Sequence, residues 1–187
     1  DCDQKNSVHF FYTLPFSKNK ALVETTWLSN MKDPLEKDYD FQIKNYIENV
    51  LKIKNYKIVY KEKGQIPLFY PANLNDKKKI NIGTAGKMTR LSTGYTFLNI
   101  QEHCKYIVKN LDSLKTFNIG KKYEILDKIF LKVLRKNAQK MPNIFFEIFN
   151  SNSETSIKFL SNKSNVFQDI SIISKMPKWP FIKALFN

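Results

Sequence analysis

Residues 8–16, VHFFYTLPF, run apolar and aromatic as far as Pro15, which predicts a strand ending there. Residues 20–28, KALVETTWL, are β-branched and apolar, and the short SKN between the two stretches predicts a hairpin. Side chains alternate along a strand, so Glu24 shares a face with Leu22, Thr26 and Leu28. The period then changes: Phe41, Ile43, Ile47, Val50 and Leu51 recur at helical spacing and predict an amphipathic helix over 37–53. YKIVYKEKGQIPLFYP (56–71) returns to strand character around Gly64 and Pro67, and KKKINIG (77–83) predicts a short buried strand. Ile100, Cys104, Ile107, Val108 and Leu111 mark a helix opening near Ser92 or Thr93. Beyond Gly120 the pattern is helical throughout. Leu126, Ile129, Phe130, Val133 and Leu134 form one face of a helix over 121–137, followed by shorter helices at NIFFEIF, IKFLSN and PKWPFIKALF. The expected architecture is mixed α+β: strands and helices over 1–112, then a helical cap over 113–187.

Glycine is scarce, and its placement is the sharpest local signal. Three of the five glycines (Gly83, Gly86 and Gly94) fall within INIGTAGKMTRLSTGYTF, residues 80–97. A strand running into Gly-Thr-Ala-Gly lets backbone approach a ligand with no Cβ in the way. Ser92 or Thr93 can cap the following helix, whose N-terminal N–H groups and dipole favour an anionic group. Such a bend suits a phosphate-bearing ligand, although spacing alone favours a plain turn ahead of a capped helix. Glu24, read by itself, is a strand-edge carboxylate paired with a lysine.

Two ordered blocks change that weighting. IGTAGKMTRLSTGYTF resembles the C-terminal flavin motif of the lycopene cyclase family, and FYTLPFSKNKALVETTWLS resembles that family's Leu-Pro segment followed by Leu-Val-Glu-acid-Thr. The tail PKWPFIKALF is similar to the end of bacterial members, so the resemblance extends over essentially the whole chain. It implies a lycopene β-cyclase, a flavoprotein isomerase of carotenoid biosynthesis that closes β-ionone rings on lycopene or a related linear carotenoid. Reduced FAD would be the cofactor and NAD(P)H its reductant. Gly83, Thr84, Ala85, Gly86, Met88, Ser92, Thr93 and Gly94 would hold the flavin, and Glu24 would be the acidic residue implicated in cyclisation. The family's Rossmann βαβ unit with its G-x-G-x-x-G loop has no counterpart here, so the chain resembles the C-terminal half of an FAD/NAD(P)-binding flavoprotein fold, a fragment inactive by itself. It departs from the family at Thr25, in the second acidic position, at Lys87, where glycine is common, and at Arg90 and Leu91.

Ring closure begins when a proton adds to a terminal alkene. The cation that forms must be kept from water, which calls for an acid in an apolar pocket. Burial raises the pKa of a carboxyl and so preserves a transferable proton. Phe10, Phe11, Tyr12 and Trp27 offer a polyene lining or cation–π support, and for at least half of them plain core packing is the better account. The alternatives are another FAD enzyme of the same superfold, a hydroxylase or an ε-type cyclase, and a non-enzymatic basic module binding nucleic acid or lipid.

Charge bears on the last of these. The net charge is +14, yet Arg90 and Arg135 are the only arginines and the lysines are dispersed, which argues against a nucleic-acid reader and suits an anionic membrane surface. No apolar run reaches the roughly 20 residues that cross a bilayer. Cys2 and Cys104 fit a reducing compartment, and His9 and His103 show no metal-ligand spacing with them. With no signal peptide, the expected location is cytoplasmic and peripheral to a membrane.

Overall fold

In the computed structural model, which describes residues 2–5, 7–29, 38–70, 79–111, 117 and 119–186, the aromatic opening of the chain pairs with the segment that follows it. Strands β1 (Val8–Ser17) and β2 (Lys20–Leu28) form an antiparallel hairpin in the register Val8↔Leu28, Tyr12↔Glu24 and Leu14↔Leu22. The strand continues past Pro15 instead of ending there. In a two-stranded sheet both strands are edges, where proline's missing N–H is tolerated, and the irregularity at Pro15–Ser17 absorbs the turn.

Helix α1 (Tyr39–Asn45) continues into a π-helical turn, Tyr46–Val50, within the predicted amphipathic segment. It covers one face of the hairpin, with Tyr46 stacked on Phe11 at 4.2 Å between ring centroids. The opposite face carries Phe10, Tyr12, Leu14, Leu22, Glu24 and Thr26, with Phe10 and Leu14 exposed.

Two predicted strands do not form. Residues 56–70 and 79–82 belong to no sheet, and Ile58, Val59, Tyr60, Ile80 and Ile82 are exposed. A strand needs a neighbour to satisfy its N–H and C=O groups, and among the described residues the β1–β2 hairpin is the whole sheet. Residues 71–78 lie outside the described residues, which removes the start of KKKINIG from comparison.

The remaining helices are α2 (Phe97–Lys109), α3 (Lys121–Lys136), α4 (Met141–Phe149), α5 (Ser153–Leu160), α6 (Val166–Lys175) and α7 (Lys178–Phe186), so the end of the chain is helical as its periodicity predicts. Helix α3 buries Tyr123, Asp127, Phe130 and Val133. Its Phe130 meets Phe145 of α4 and Phe181 of α7, while Ile144, Ile148, Phe159, Ile172 and Ala184 complete the interior. Helix α2 starts later and is turned differently from its prediction. Its first residue is Phe97, after Thr96, and it buries Asn99 and His103 while Cys104, Val108 and Leu111 face outwards. Mixed α+β describes the whole.

The chain divides into two compact units, Asp1–Lys63 with Ala138–Pro142, and Gly64–Asn137 with Asn143–Asn187. Glu24 belongs to the first and the glycine bend to the second.

Candidate functional site

Opposition across the hairpin decides the surroundings of Glu24. Tyr12 is its cross-strand partner and donates its phenolic hydrogen to Oε2, while Thr26, two residues along the same face, donates from Oγ1 to Oε1 at 3.0 Å. Both carboxyl oxygens therefore have a hydroxyl partner, and the half-buried carboxyl is held in one plane between Leu22 and Thr26. Burial, then the Glu24 contact, pushes the Tyr12 phenol up to about 12, so it keeps its hydrogen throughout the neutral range.

Thr25 points to the other face. His9 accepts or donates at Nε2 with Thr25 Oγ1 (2.8 Å) and contacts the Asp3 carbonyl through Nδ1 (2.8 Å). A carbonyl only accepts, so Nδ1 carries the hydrogen and Nε2 takes one from Thr25. The imidazole is 3% exposed and stacks on Trp27 at 3.8 Å, and burial holds its pKa below the ordinary value. Thr25 is thus committed to a buried neutral histidine, a pairing that no periodicity reveals.

The glycine bend has two separate reasons for its glycines. Gly83 and Gly94 adopt φ of +58° and +74°, the left-handed region that costs other residues about 1–2 kcal/mol. At Gly86 a Cβ would lie 2.5 Å from the Asn81 carbonyl oxygen, so close packing of the chain on itself excludes a side chain there. At Gly94 a Cβ would meet nothing within 4 Å, so the backbone faces open space. Gly86, Lys87 and Met88 donate their N–H groups back to Ile82, Gly83 and Thr84 carbonyls, closing the bend. Lys87 itself sits at φ +63°, which is the physical reason a glycine suits that position.

The predicted cofactor residues fall into two groups. Gly83, Thr84, Ala85, Gly86, Thr93 and Gly94 keep part of their surface accessible. Met88 and Ser92 are buried, Met88 with its carbonyl accepting from Asn99 Nδ2 at 3.1 Å. Neither Ser92 nor Thr93 caps α2. Ser92 Oγ instead donates to Asp127 Oδ1 at 2.7 Å.

Asp127 is the residue the sequence reading missed. It is 1% exposed and accepts from Arg90 Nε (3.0 Å to Oδ2), Arg90 Nη2 (2.6 Å to Oδ1), the Leu91 N–H (2.9 Å) and Ser92 Oγ. The guanidinium lies over the rings of Tyr123 and Phe159, each 5.0 Å away, and donates from Nη1 to the Phe159 carbonyl at 2.5 Å. One carboxylate on α3 thereby ties down the segment immediately after the bend. The hint was a charged residue on the apolar face of α3, at the i+4 position from Tyr123 and i−3 from Phe130.

A family model described as "Lycopene cyclase protein" matches residues 2–186. No curated protein and no solved structure matches the chain.

Proposed function

The chain belongs to the lycopene cyclase family and takes a carotenoid substrate, and from that premise we propose that it is the part of a lycopene β-cyclase that carries the initiating acid and one wall of the flavin site. The observation that carries this reading is the seat of Glu24, a carboxyl fixed by two hydroxyls on the hairpin face left uncovered by α1, among Phe10, Leu14 and Leu22.

A protonated Glu24 adds its proton to the terminal alkene of the linear carotenoid. The tertiary cation is then attacked by the neighbouring alkene, and loss of a ring proton, which returns directly or through solvent to the Glu24 carboxylate, gives the β-ring, so the overall change is an isomerisation. Tyr12 and Thr26 orient the carboxyl, and either hydroxyl can turn to accept when Glu24 carries its proton. Phe10 and Leu14 are exposed on this face, so water, which would otherwise trap the cation, would be excluded only once the polyene lies over them. Aromatic rings on this face, Phe10 and Tyr12, sit where they favour positive charge.

The second half of the proposal is FAD in its reduced form, with NAD(P)H as reductant. The accessible backbone of Gly83–Gly86 and the open space over Gly94 fit a ligand approaching closely, with Thr84, Ala85 and Thr93 beside it and Met88 and Ser92 supporting from beneath. When bound, the reduced flavin would supply an electron-rich group that favours positive charge. A Rossmann unit of the same protein, outside these residues, would grip the ADP portion.

The test is production of β-carotene by the full-length protein in lycopene-accumulating cells. Glu24→Gln should leave lycopene unconverted while flavin remains bound; continued ring formation would remove Glu24 from the acid role.

A further inference from the structure

The last two helices each bury one stripe and expose another that is just as apolar. In α6 the buried side is Asp169, Ile172 and, beyond its end, Met176, and the opposite side presents Val166, Phe167, Ile170 and Ile173. In α7 Pro180 and Ala184 are buried, while Trp179, Ile182, Leu185 and Phe186 face outwards. Phe167 is 83% and Phe186 85% exposed, and each belongs to a contiguous apolar stripe and is not a scattered single residue.

Charge identifies what these stripes meet. The acidic residue of the two helices, Asp169, is turned inwards, where it accepts from Lys122 Nζ at 2.7 Å and from Ser164 Oγ at 2.5 Å. Lys175, Lys178 and Lys183 are all exposed, and Lys183 Nζ lies 5.2 Å over the Trp179 ring. Outward-facing charge on α6 and α7 is therefore wholly positive, set beside aromatic and aliphatic side chains. A second copy of the same face would bring these lysines against one another. Neither helix is long enough to cross a membrane. Short helices with Trp, Phe and Leu on one side and lysines at the margin lie in the plane of a lipid interface.

We propose that α6 and α7 form the membrane-docking face of this chain, inserting Phe167, Ile170, Trp179 and Phe186 among acyl chains while Lys175, Lys178 and Lys183 engage anionic headgroups. The inference deepens the cyclase reading, because a linear carotenoid is stored in a bilayer, and it specifies which helices face that store.

Flotation of the purified full-length chain with vesicles tests it without any carotenoid. The protein should float with phosphatidylcholine vesicles containing phosphatidylglycerol, less with pure phosphatidylcholine, and less as salt is raised. Phe167→Ser/Ile170→Ser and Trp179→Ser/Phe186→Ser should each lower partitioning about tenfold or more, with unchanged circular dichroism. Lys175→Glu/Lys178→Glu/Lys183→Glu should remove the preference for the anionic lipid. Wild-type protein that stays with the soluble fraction overturns the proposal, as do serine variants that still float. A dimer that these serine variants convert to monomer assigns the face to a second copy instead. A chain that forms β-carotene yet never floats sinks this inference alone, and one that floats without cyclising sinks only the activity.

Discussion

Asp127→Asn tests the buried clamp behind the glycine bend. The substitution keeps the side chain's size, so no cavity opens, but it leaves the Arg90 guanidinium, 1% exposed, without a counter-charge. Breaking a buried ion pair from one side costs about 3–5 kcal/mol. The amide nitrogen adds to the loss, since it would face the donors Leu91 N–H, Ser92 Oγ or Arg90 where an oxygen now accepts. At about 2–4 °C per kcal/mol for a chain of this size, the thermal midpoint should fall by roughly 6–20 °C. Helical circular dichroism, which is dominated by the second unit, reads that midpoint. Adding Arg90→Met to Asp127→Asn should recover part of the loss, because no buried charge then remains. A midpoint within about 2 °C of the wild type, or a double variant less stable than Asp127→Asn alone by a further full step, would refute the clamp.

Other outcomes follow from the same geometry. Lys87→Gly should raise stability by up to about 1 kcal/mol, because glycine adopts φ +63° without a Cβ penalty; a lowered urea midpoint contradicts this. Gly86→Ala should distort the bend, since its Cβ would press on the Asn81 backbone, and should reduce flavin content in the full-length protein; an unchanged flavin spectrum per protein argues against the bend as cofactor site. Tyr12→Phe should slow ring formation about ten- to a hundredfold by freeing one oxygen of Glu24, while Thr25→Val, which acts on the opposite face, should affect stability first. His9 and His103 both have pKa values held below 6.5 by burial. The unfolded chain then binds more protons than the folded one as pH falls from that value, so stability is full above about pH 6.5 and declines below it; urea unfolding that is harder at pH 5.5 than at pH 7.5 would reverse the sign.

The legible part of this protein is what a few neighbouring residues decide. Alternation placed β1, β2 and the turn between them, and with them the side of the hairpin on which Glu24 lies. Helical spacing placed α3 and the run of helices to the end, because a repeat of 3.6 records which side of a helix leaves water. Two ordered motifs were enough for the family. Segments 56–60 and 80–82 read as strands because their side chains suit a pleated surface, but a ladder needs a partner that local composition cannot supply.

Long-range pairing decided the rest. Arg90 and Asp127 stand 37 residues apart, and Arg90 and the Phe159 carbonyl 69 apart, so neither bond leaves a local pattern. That clamp draws Ser92 inwards and delays α2 until Phe97. Asn99 then turns its amide to the Met88 carbonyl, and the helix buries Asn99 and His103 while Cys104 and Val108 of its apolar stripe stay outside. The hydrophobic pattern states which residues prefer to leave water, whereas the buried charges and amides, each needing its own partner, determine which way the elements turn.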